Sequence, residues 1–133
     1  MKTKLIKIDP RSSKPIFQQI VENIKENILK GILLPGDKMP SVRDLSVAIQ
    51  INPNTVARAY KELEQQKIIE ILQGRGTFVA QTILPQTSED KIQFVKSNLK
   101  KIIIETKFMG VNKSDFMRIV DEIYNEMGGI GDD

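Results

Sequence analysis

Residues 38–80, KMPSVRDLSVAIQINPNTVARAYKELEQQKIIEILQGRGTFVA, leave little freedom of fold. Ser41 and Asp44 stand three apart, an acidic variant of the capping box, so a helix starts after Ser41. Val42, Leu45, Val47, Ala48 and Ile49 are assigned to its buried side. Gln50 to Pro53 then makes a turn. Asn52 is placed to cap the next helix, with Pro53 in the first-turn position that tolerates a missing N–H. Val56, Ala59, Tyr60 and Leu63 follow the i, i+3, i+4, i+7 spacing of one helical face, predicting a helix to about Gln66. Two β-prone runs, Ile68 to Leu72 and Thr77 to Ala80, flank Gln73-Gly74-Arg75-Gly76, a hairpin signal. Helix, tight turn, helix, hairpin is the order of a winged helix-turn-helix, whose second helix is shaped for the DNA major groove.

The flanking segments read as helical. Residues 4–8, KLIKI, alternate as a short strand would, and Asp9 to Lys14 is a polar loop. Pro15 opens a helix that carries an apolar stripe of Phe17, Ile20, Val21, Ile24 and Ile28 and stops at Gly31. After a connector at 82–88, a fourth helix is predicted from Ser88 to Gly110. Ile92, Val95, Leu99, Ile102, Ile103 and Phe108 are expected to line one side of it. A fifth follows from about Asn112, with Phe116, Ile119, Val120, Ile123, Tyr124 and Met127 inward, and residues 128–133 form a frayed tail. The expected fold class is α+β, mainly α. It divides into a winged helix-turn-helix at 1–80, a linker at 81–88 and a two-helix dimerisation tail at 89–133.

Composition narrows the chemistry. There is no cysteine and no histidine among the 133 residues. Disulfides, thiolate metal sites and the usual general base are thereby removed. No nucleophile motif is present and the carboxylates fall at helix caps and on helix faces, so no enzyme, cofactor or metal is expected. No apolar run reaches the ~20 residues of a transmembrane helix. The N-terminus lacks the apolar core of a signal peptide, and a cytoplasmic, membrane-free protein is expected. The net charge of +3 is unevenly spread. Residues 1–80 hold 13 Lys/Arg against 8 Asp/Glu, whereas residues 81–133 hold 7 against 9. A basic front and an acidic back suit a DNA-facing half and a partner-facing half.

Within the basic half, Asn54, Thr55, Arg58 and Lys61 lie on or beside the side of the third helix opposite Val56, Ala59 and Leu63. Amide, hydroxyl and guanidinium groups near a helix N-terminus reach base edges and phosphates, and Arg is suited to guanine. Ser41 and Arg43 occupy the start of the second helix. Arg75, between two glycines at the hairpin tip, suits phosphate or the minor groove. Each residue alone also reads as ordinary solvated surface or a well-formed turn; the ordered motif is what unites them.

These residues also carry a resemblance. The chain resembles the GntR family of bacterial transcription regulators over about residues 15–80. The matching runs are Pro15 to Ile20 (PIFQQI), Gly31, Leu34 to Leu45 (LPGDKMPSVRDL), Asn54 to Tyr60 (NTVARAY), Leu63, and Gly74 to Val79 (GRGTFV). The resemblance implies DNA contacts at Arg43, at Asn52, Asn54, Thr55 and Arg58, and at Arg75 and Gly76. Many members carry arginine where this chain has Pro53 and Ala57, so their operator preference does not transfer. Only about 50 residues follow the hairpin. That resembles the short YtrA-type branch, whose two-helix tail serves dimerisation. Such a tail cannot enclose a core alone, so its apolar stripes need a partner surface, either the winged domain or another subunit. The expected partners are double-stranded DNA with a palindromic operator and a second copy of the chain. The second copy would be met through Ile92, Val95, Leu99, Ile102, Phe108, Phe116, Ile123 and Tyr124. A small-molecule effector stays open. The expected function is a dimeric repressor acting by promoter occlusion. The alternative is a winged-helix protein-interaction module without DNA binding, which would show no salt-sensitive affinity for a duplex.

Overall fold

The computed structural model describes residues 6–85 and 87–127. The described residues fall into two compact units divided after Ile83. The first holds α1 (Ile16–Leu29), β1 (Lys38–Met39), α2 (Val42–Ile49), α3 (Pro53–Gln65), β2 (Ile69–Leu72) and β3 (Gly76–Val79). The second holds α4 (Glu89–Phe108) and α5 (Lys113–Met127).

The helix ends of the first unit follow the capping chemistry. Ser41 Oγ accepts from the Asp44 N–H at 3.0 Å, and Asn52 Oδ1 from the Asn54 N–H at 2.8 Å. Pro53 is the first residue of α3. Pro15 stands just before α1 rather than inside it. Gly31 follows the α1 cap at φ +75°, a left-handed conformation that costs glycine little. The Ile32 and Leu33 N–H groups then both donate to the Asn27 carbonyl.

One core closes this unit. Ile20 and Ile24 of α1, Leu45 of α2, Val56, Ala59, Tyr60 and Leu63 of α3, Ile69 of β2 and Val79 of β3 are fully buried together. The three strands form an antiparallel sheet in the order β1-β3-β2. Lys38 pairs with Phe78 and Met39 with Thr77, while β2 runs against β3 from Ile69–Val79 to Leu72–Gly76. Two residues are too short a run for a period-2 pattern, so β1 was not legible from alternation.

Three expectations need correction. Ile6 to Ile8 form no strand, and Lys4 and Leu5 lie outside the described residues. Instead the Lys7 main chain pairs both ways with the Asn23 side chain, donating at 3.1 Å and accepting at 3.0 Å. The Gln19 side chain does the same for Asp9, at 2.8 and 3.0 Å. Two amides at i and i+4 on α1 thus replace a neighbouring strand. In α2, Val47 is 73 % exposed and Ala48 is exposed, because the inward face runs Val42, Leu45, Ser46, Ile49. Ser46 is buried in their place and donates to the Ile51 carbonyl at 2.6 Å. In α4, Phe108 does not share the stripe of Ile92, Val95, Leu99 and Ile102. At about 100° per residue it lies roughly 160° round from Ile92, and it is 91 % exposed.

The second unit is built differently. Ser88 caps α4 by accepting from the Lys91 N–H, and Asn112 caps the start of α5 by accepting from the Asp115 N–H. The two helices do not pack along their lengths. No residue of either is buried within the chain. Leu99, Ile102, Ile119, Ile123 and Tyr124 all stand exposed.

Tyr60 ties α3 to the approach to α2. Its hydroxyl donates to the Pro40 carbonyl at 2.8 Å, one residue before the Ser41 cap. Burial pushes that hydroxyl's pKa well above its ordinary value. Tyr60→Phe is expected to cost about 1 kcal/mol, the usual worth of such a bond. Because the folded pKa is raised, this contribution is whole below the ordinary tyrosine pKa of about 10 and falls as pH rises further. Denaturant melts of parent and variant between neutral and strongly alkaline pH would read both effects.

Candidate nucleic-acid interface

Burying Val56, Ala59, Tyr60 and Leu63 turns the opposite side of α3 outward. Asn54, Arg58 and Lys61 are accordingly exposed, and Thr55 is half-buried at the edge. Asn52 spends its side-chain oxygen on the α3 cap, leaving its amide N–H groups for a ligand. The Arg58 guanidinium carbon sits 3.7 Å above the centre of the Phe17 ring of α1. Among the described residues no group accepts a hydrogen bond from, or forms an ion pair with, the guanidinium of Arg58, Arg43 or Arg75. Exposed guanidinium groups with unclaimed donors suit phosphate oxygens and guanine edges.

The hairpin tip is Gln73-Gly74-Arg75, closed by the Leu72–Gly76 pair and by an Arg75 N–H to Leu72 carbonyl bond at 3.0 Å. Gly76 has φ +121°, and a Cβ there would lie 3.2 Å from the Lys38 side chain. The conformation favours glycine at this position, and a Cβ would also press the flexible Lys38 side chain aside by a few tenths of an ångström.

Ser41 and Gly76, distant in sequence, meet in one cleft. Lys38, Met39, Pro40, Ser41, Asp44, Gly76 and Thr77 line a hollow of about 450 Å³ between the start of α2 and the base of the hairpin. Lys38 is the residue that sequence reasoning missed here. The signal was its pairing opposite Phe78 through β1, which a two-residue strand does not announce. Arg43, Arg58, Lys61 and Arg75 do not line this cleft; they stand on the exposed surface. Among the described residues no group of His, Cys, Asp and Glu could hold a metal ion.

Comparison with known proteins decides the family. Residues 16–79 match the family described as bacterial regulatory proteins, gntR family. The chain is 46 % identical over 125 residues to the HTH-type transcriptional repressor YtrA of Bacillus subtilis (strain 168), covering 94 % of this chain and 96 % of that protein. The chain belongs to the GntR family. Like other GntR regulators it is a DNA-binding transcriptional regulator rather than an enzyme, and its likeness to YtrA places it in the short-tailed branch. A solved chain described as a transcriptional antiterminator from Listeria monocytogenes EGD-e matches this GntR protein with a TM-score of 0.81 and 37 % identity, over 96 % of each chain. YtrA from Sulfolobus acidocaldarius matches with a TM-score of 0.59 and 34 % identity, covering 73 % of this chain and 98 % of that one. No described helix is long and apolar enough to cross a membrane.

The position of Arg75 generates a test. An exposed cation at a loop tip should contribute sequence-independent affinity. Arg75→Ala is expected to weaken binding to many duplexes alike and to reduce the slope of log affinity against log salt by about one unit. Fluorescence anisotropy over a salt series checks this. Loss of discrimination between duplexes with an unchanged slope would make Arg75 a base reader instead.

Proposed function

We propose that this GntR regulator is a homodimeric repressor that occupies a palindromic operator and blocks the promoter. Each copy lays α3 in the major groove. Arg58 and Asn54 face base edges, Ser41 and Arg43 face the phosphates, and Arg75 and Gly76 reach the adjacent backbone or minor groove. Asn52, Thr55 and Lys61 complete the contact. Such a role places its work in the cytoplasm, where the DNA is. The name of the Bacillus relative, a repressor, supports repression over activation.

The observation that carries the dimer is the uncovered second unit. Two capped helices that do not pack on each other leave their apolar side chains in water, an arrangement stable only if another surface covers them. Charge supports a second copy as that surface. α4 carries five lysines against three carboxylates, whereas the later half of α5 carries Asp121, Glu122 and Glu126. Basic and acidic arms from two copies complement each other, and a two-fold pair matches two half-sites. Ile92, Val95, Leu99 and Ile102 with Phe116, Ile123 and Tyr124 form the contact; Phe108 reaches it only from the far side of α4. The notch where α4 and α5 part, about 540 Å³ and lined by Leu99, Ile103, Val111, Phe116 and Met117 among others, belongs to this same surface.

Two measurements test the reading. Arg58→Ala is expected to lower affinity for a selected operator by ~1–3 kcal/mol while folding is unchanged. Equal affinity of variant and parent would remove Arg58 from the interface. Leu99→Asp is expected to give a monomer in sedimentation and to lose ~10²–10⁴ in operator affinity, because the second half-site contact is no longer linked to the first. A parent chain that sediments as a monomer at high micromolar concentration would refute the dimer. If the parent showed no salt-sensitive duplex binding, the interaction-module alternative would take its place.

A further inference from the structure

We propose that Phe17 is a positioning residue for base recognition: its ring holds the Arg58 guanidinium flat so that the N–H edge of Arg58 is presented to a guanine. This rests on the reading of Arg58 as a base-contacting residue and adds to it the element that aims it.

The contact joins two helices that must be packed for it to exist. Phe17 is the second residue of α1 and half-buried, with part of its side chain against the core. Arg58 lies in the second turn of α3, at the border between the exposed side and the α1 side. Its Cζ is 3.7 Å from the ring centroid, the separation of flat groups in van der Waals contact and well inside the ~6 Å range of cation–π attraction.

The geometry matters because the two surfaces of a guanidinium do different work. Its flat face stacks, whereas its five N–H donors point outward in the plane. A bidentate contact to guanine O6 and N7 uses the edge alone. Stacking therefore immobilises Arg58 without consuming any donor. An ion pair would immobilise it by occupying that same edge. Glu62 stands at i+4, the spacing at which such a pair forms, yet no ion pair joins the two. Among the described residues, Arg58 is the one arginine whose guanidinium lies over an aromatic ring; Arg43 and Arg75 have no such support. A long side chain that is already ordered loses less freedom on binding, and an arginine aimed at one place discriminates better than one that swings.

The consequence is confined to one base pair. Removing the ring should loosen the aim of Arg58 while leaving the charge in place. It should lower discrimination at the position that Arg58 reads and leave the salt dependence unchanged.

The test uses the full chain and a duplex selected with it from a random library. Arg58→Ala first identifies the base pair at which discrimination is lost. Phe17→Leu, which keeps apolar bulk, and Phe17→Tyr, which keeps the ring, are then measured on duplexes altered at that pair. Measurement well below the melting temperature of every variant keeps all of them folded. The expected result is about a three- to fivefold loss of discrimination at that pair in Phe17→Leu, with an unchanged salt slope and parental behaviour in Phe17→Tyr. Parental discrimination in Phe17→Leu, or an equal weakening on all duplexes, would overturn the positioning role while leaving Arg58 a reader. Parental discrimination in Arg58→Ala would overturn both.

Discussion

The winged unit depends on the burial of one side of α3. Val56, Ala59, Tyr60 and Leu63 are its inner face, and each is 1 % exposed or less. They hold α3 against α1, α2 and the first residues of the sheet, so the opposite side has no choice but to face outward. The same burial fixes how α3 stands to its neighbours. Tyr60 reaches Pro40 and so joins the helix to the start of α2, while Arg58 reaches Phe17 and joins it to the start of α1. A helix rotated by one residue would lose the core, the tyrosine bond and the stack together. Rigid support of this kind is what a surface that reads base edges requires.

Much of this was legible before the structure. Caps and turns are local, so Ser41, Asn52, Pro53, Gly31, Ser88 and Gly110 announced the helix limits from short-range chemistry. The inner side of α3 was legible because four residues keep its period without interruption. The errors arose where a local pattern had more than one reading. Val47 and Ala48 are apolar and adjacent to the inward face of α2, yet the buried position goes to Ser46, whose hydroxyl is satisfied by Ile51. Ile6 and Ile8 alternate as in a strand, but no strand edge is there to receive them, and the side chains of Gln19 and Asn23 take that part. Lys38 and the Phe17–Arg58 stack join residues far apart in sequence, which no periodicity reveals.

The two units solve the problem of apolar surface in opposite ways. The first closes a core within one chain. The second distributes its apolar residues over two helices that do not cover one another, with Phe94, Ile104 and Phe108 on a different side of α4 from Ile92, Val95 and Leu99. A subunit so built leaves apolar surface open, and in the proposed dimer each α3 meets one half-site. With Pro53 and Ala57 standing where many family members carry arginine, the proposed recognition rests more on Asn54 and Arg58, and the proposed support of Arg58 gains weight.

Methylation interference tests most directly whether two copies of α3 enter the major groove. A selected duplex, methylated sparsely at guanine N7 and adenine N3, is separated into bound and free fractions with the full chain. N7 lies in the major groove and N3 in the minor groove. The account predicts that blocking N7 positions fall in two symmetric clusters about one helical turn apart, or a whole multiple of it. Tight binding undisturbed by N7 methylation anywhere, or blocked only at adenine N3, would contradict it.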